Sequence, residues 1–205
     1  DMELLDASKS GSCNDTISYQ VVVAVNRALM TRNASDIVVL VGWTSQSRVN
    51  MHDPVDLMYK FIDVNLFKQV DSKDYNERNL TITEFIRTHM WTESFGFMKQ
   101  LHAINYTMSY CAAVNIKQVH VFNLPSWKVP FLKVDGSVQD LLTDIDMVIL
   151  PQFRNVVHNL YRQPSLFDLT SRDANKYQLY DSHASEHGHL MWARRIIDTN
   201  PSAFE

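Results

Sequence analysis

The amino-acid sequence predicts an α/β fold with a parallel sheet and helices on both faces, and three observations predict it. Two continuous apolar runs, residues 36–43 and 118–124, have the length and the branched or aromatic content of strands buried on both faces. Gly42 closes the first run and Pro125 follows the second. Segments of helical period lie between the runs, and the order strand, helix, strand, helix, strand, helix is that of a parallel layer. A length of 205 residues, 45% apolar and 20% charged, suits one domain, 1–205, with a core of ordinary size.

Taken in order, residues 2–6 read as a short strand and 7–15 as a turn of small residues. Residues 16–31 carry Val21, Val22, Val25, Ala28 and Leu29 at helical spacing, with Asn14 or Asp15 as the cap. The stretch 51–79 is mixed and polar, and short helical turns are expected over 55–67. Residues 81–115 turn helical again through Phe85, Phe97, Leu101, Ile104 and Met108, as one extended helix or two in sequence. Residues 126–169 are expected to hold two short helices, one over 138–146. A last helix spans 185–199, with Leu190, Ala193, Ile196 and Ile197 on its apolar side and a stop before Pro201. The first residues run at once into a strand-like stretch, so the chain reads as the interior of a longer polypeptide.

Composition removes several function classes. A net charge of −4 keeps the protein soluble and speaks against a nucleic-acid partner held through phosphates. No apolar run approaches the roughly 20 residues that cross a bilayer, so no membrane partner is expected. Neither a P-loop nor a G-x-G-x-x-G motif is present, and no cofactor is expected. Cys13 and Cys111 are too few for a disulfide framework and read as two buried or half-buried thiols of a reduced compartment. The N-x-Ser/Thr triplets at Asn14, Asn33, Asn79 and Asn105 carry little weight without a secretory leader. The Trp and Met residues read as core filling, and His52, His89, His102, His120 and His158 as packing or surface residues.

In parallel sheets ligands bind beyond the carboxyl ends of the strands. That rule gathers three loops, 8–15, 42–48 and 123–127. In the first, Ser10-Gly11-Ser12 stands just ahead of a helix, where backbone N–H groups cradle an anion or oxyanion. It reads equally as an ordinary turn that needs glycine for its φ angle. The second ends a strand with two hydroxyls, Thr44 and Ser45, as donors to a developing negative charge or as a plain polar loop. Near the other terminus, Asp181 precedes His183 by two residues, ahead of the helix that Ser185 caps. A carboxylate beside an imidazole suits acid–base work near neutral pH. His183-Ala-Ser-Glu186-His187 also fits H-x-x-E-H, in which two histidines bind zinc and a glutamate activates water. Only 18 residues follow His187, which leaves little room for a third ligand, and Gly188 is costly inside a ligand helix. No metal is therefore expected, and His187 and His189 read as surface residues of the first helical turn.

Together these pieces resemble the sequence blocks of the SGNH (GDSL-type) hydrolases. The segment from Ala7 through Gly11 to Asp15 is similar to the family's second block, with Gly11 at the oxyanion position. Val39-Leu-Val-Gly42-Trp-Thr44-Ser45 stands where the third block lies. His183-Ala-Ser-Glu-His-Gly-His-Leu-Met-Trp192-Ala resembles the family's closing His block. The phrasing from Ser10 to Asp15 and from Gly42 to Arg48 is most similar to SGNH-like proteins of tailed bacteriophages. The resemblance implies a flavodoxin-like three-layer sandwich and a serine esterase acting on an O-acylated glycan or similar ester. It implies His183 as general base, Asp181 as its orienter, Gly11 and Thr44 as oxyanion donors, and Ser45 and Arg48 against substrate. Three departures stand beside it. The chain has no Gly-Asp-Ser triplet, so the nucleophile-bearing strand is expected before Asp1. Thr44 replaces the family's oxyanion Asn, and Asp181 sits two residues before His183 where the family usually has three. The alternative is therefore a catalytically inactive SGNH-like binding or structural module, a phage virion component. Expected partners are the ester or glycan, a preceding N-terminal segment, or virion proteins; the expected location is the cytoplasm of an infected host or the virion.

Overall fold

The computed structural model describes residues 5–7, 12–53, 58–63, 84–123, 151–154, 156, 160, 165–171 and 184–204. In chain order the main elements are α1 (Asn14–Leu29), β1 (Val38–Trp43), β2 (Arg48–Asp53), β3 (Met58–Asp63), a π-helical turn (Ile86–Met90) and α2 (Glu93–Ala113). There follow β4 (Lys117–Phe122), α3 (Leu166–Ser171), α4 (Glu186–Thr199) and α5 (Pro201–Phe204). Strands β1 and β4 pair in parallel, in register from Val38 opposite Lys117 to Trp43 opposite Phe122. Parallel neighbours need a crossover rather than a tight turn, and α2 lies within this one.

The period of two along a strand assigns its faces. Val39, Val41, Trp43 and Phe122 pack against α1 and α2, in a core with Phe97, Leu101, Ile104 and Met108. Each such fully buried side chain contributes about 1.5–3 kcal/mol by leaving water. Val119 and Val121 face the other way and meet Ile196, with Trp192, Ala203 and Phe204 around them. Helices thus cover both faces of β4. Strand β1 departs from the expectation of burial on both faces, because Leu40 is 51% exposed. The described residues form a mixed α/β fold built on a small parallel sheet.

Helix α2 shows why its residues fold as they do. Thr92 caps its start by accepting from Phe95 N–H at 3.1 Å. Its buried stripe runs Phe97, Leu101, Ile104, Met108 and Cys111, one helix face. Asn115 adopts φ 56° just past the end. There Asn115 N–H donates to Ala112 O and Ile116 N–H to Cys111 O, at 3.1 and 2.9 Å, so a Schellman motif stops the helix.

Several expectations need correction. Of the helical turns expected over 55–67, residues 58–63 are instead strand β3, paired antiparallel with β2, Arg48 opposite Asp63 and Asp53 opposite Met58; 55–57 and 64–67 lie outside the described residues. Val49 and Met51 alternate with polar neighbours, a strand period that the overall polarity of the stretch concealed. Cys13, not Asn14 or Asp15, is the N-cap residue of α1, and its side chain makes no capping bond. Over 81–115 the second of the two expected arrangements holds among the described residues, two helical elements in sequence, the π turn and α2. On α4 the residues on the inward face are Gly188, Trp192 and Ile196, whereas Leu190 and Ile197 are 47% and 51% exposed. The indole of Trp192 and not Leu190 meets the sheet, which rotates the helix from its expected face. Leu5 and Asp6 are not in a strand, and the rest of the expected first strand, like the helix over 138–146, lies outside the described residues.

Candidate functional site

Beyond the carboxyl ends of β1 and β4, three segments converge. Asn123 N–H donates to Trp43 O at 2.9 Å, tying the residue after β4 to the end of β1. Gly42 lies close against the Asn123 carboxamide, since a Cβ on it would stand 2.5 Å from Asn123 Oδ1 and would displace that side chain. The third segment is the start of α1. Asn14 Oδ1 accepts from Thr44 N–H at 3.0 Å, while its Nδ2 donates to Thr44 O at 3.3 Å and Ser45 O at 3.5 Å. Gln100, from α2, donates Nε2 to the same Thr44 O at 2.8 Å. Two carboxamides thus hold the backbone of Thr44 much as a neighbouring strand would. Both are buried, Asn14 at 5% and Gln100 at 1% exposure.

This clamp leaves one group over. Thr44 Oγ1 is buried with no hydrogen-bond partner, an arrangement that costs about 1–3 kcal/mol and calls for a reason. The next residues close a small turn, with Ser45 Oγ 2.8 Å from Ser47 Oγ and accepting from Ser47 N–H at 3.2 Å. Beside the clamp lies a shallow, open dent lined by Asn14, Asp15, Gln46, Arg48, Lys99 and Gln100, with Gly96 at its wall. Lys99 Nζ pairs with Asp15 Oδ2 at 2.6 Å across it, both side chains partly in solvent, so the pair orders the rim more than it stabilises the fold.

Of the residues expected to act, Thr44, Ser45 and Arg48 share this edge. Gly11, Asp181 and His183 lie outside the described residues. The Thr44 N–H is committed to Asn14, so its hydroxyl alone remains as a donor. His187 and His189 are exposed on the first turn of α4, as expected. Ser185 caps that turn, its Oγ accepting from Gly188 N–H at 3.2 Å. Among the described residues no group of three His, Cys, Asp or Glu gathers for a metal, and His183 of the zinc pattern is not among them. Cys13 and Cys111 are free and buried, and burial pushes the Cys111 thiol up to about 11. His120 is a packing residue. Its Nδ1 accepts from Trp43 Nε1 at 3.0 Å and its Nε2 donates to Gln118 Oε1 at 2.8 Å. Burial lowers its pKa to about 3.

Sequence reasoning missed Asn14, Gln100, Gln46 and Lys99. One signal was present for Gln100, a carboxamide inside the apolar stripe of α2 between Phe97 and Ile104. A buried amide of that kind must find partners. For Asn14 the cap reading was the simpler local one, and its partner lies 30 residues away.

The class these features define is a mixed α/β protein with a polar site at the carboxyl edge of its parallel strands. No helix among the described residues is long and apolar enough to cross a membrane. The chain matches no protein-family model, no curated protein and no solved structure.

Proposed function

We propose that the chain is an SGNH-type serine esterase domain of flavodoxin-like, three-layer architecture, acting on an O-acylated glycan or similar ester. The observation that supports it best is the Asn14–Thr44 junction, a buried donor hydroxyl held rigid where an α/β sheet keeps its site. In this reading the Thr44 hydroxyl and the Gly11 N–H receive the oxyanion. His183, oriented by Asp181, takes the proton from a serine hydroxyl as that oxygen attacks the acyl carbon. It then returns the proton to the departing alcohol, and water reverses the sequence to release the acid. Ser45 and Arg48 contact the substrate.

One observation favours a second reading, a non-catalytic SGNH-like binding or structural module of a phage virion. Thr44 is only 5% exposed, and its hydroxyl is buried, where it would have to meet an oxyanion. Turnover of 4-nitrophenyl acetate by the protein and by His183→Ala separates the two. The esterase reading expects a loss of at least about 10²-fold in the variant, within the range of a catalytic base. Equal, background-level rates leave the module. Labelling of the protein by a fluorophosphonate removes the module reading.

A further inference from the structure

We draw no further inference here: the strongest candidate, the exposed apolar side chains Phe85, Met90 and Phe95 around the π turn Ile86–Met90 and the start of α2, is a surface for which nothing in the structure shows what covers it.

Discussion

Acid should destabilise this protein through one buried imidazole. His120 is 9% exposed, and the donor facing its Nδ1 is compatible only with the neutral ring. The Trp43 indole can only donate, so Nδ1 must keep its lone pair and the proton must sit on Nε2, facing Gln118 Oε1. Gln118 in turn donates Nε2 to Met108 O at 3.1 Å, so the network is complete only when the ring is uncharged. Desolvation lowers the folded-state pKa to about 3, against 6.5 for the ordinary group. Between these values the unfolded chain binds a proton that the folded chain refuses. The contribution of this residue to stability is therefore constant above the unfolded-state pKa and falls as pH drops through that window. At about 1.4 kcal/mol per unit of pKa difference, acidification from pH 7.5 to 5.0 costs roughly 2 kcal/mol through this residue alone. Urea unfolding at both pH values measures it, with His120→Gln as the reference, since glutamine retains an acceptor for the indole but does not titrate. The wild type should lose roughly 2 kcal/mol more than the variant, other groups cancelling in the comparison. Equal losses, or an NMR titration that puts His120 near 6.5 in the folded state, would refute the reasoning.

Other consequences can be checked on purified protein. Gly42→Ala should lower stability by about 1–3 kcal/mol through overpacking against Asn123, and Asn123→Ala in the same chain should recover part of it, measured by urea midpoints. Asn14→Ala removes the partner of the buried Thr44 N–H and should cost about 1–3 kcal/mol, with hydrogen exchange faster at Thr44 than in the neighbouring strand β1. Asn14→Asp, which keeps the acceptor but faces the Thr44 and Ser45 carbonyls with a carboxylate, should fall between the two. Cys13 and Cys111 should react with iodoacetamide only after unfolding, read by intact mass, because both are buried and the Cys111 thiol is pushed up to about 11.

What was legible in the sequence depended on interactions of short range. The runs that became β1 and β4, the apolar stripe of α2 and the Ser185 cap follow from periods and caps that a few neighbouring residues set. Thr44, Ser45 and Arg48 could be assigned to one edge because a general rule places sites beyond the carboxyl ends of parallel strands. The β2–β3 hairpin was not legible, since a short polar stretch acquires strand geometry from its partner strand rather than from its own hydrophobicity.

The sequence by itself determined which segments are apolar, at what period, and hence a mixed α/β layer with a parallel pair. Tertiary structure alone decided what the buried polar groups do. Asn14 meets Thr44 across 30 residues, Gln100 meets it across 56, and Trp43 sets the tautomer of His120 across 77. Hydrophobic burial is non-directional and shows in local pattern, whereas a hydrogen bond needs a particular partner at a particular angle. Only the packed chain supplies that partner.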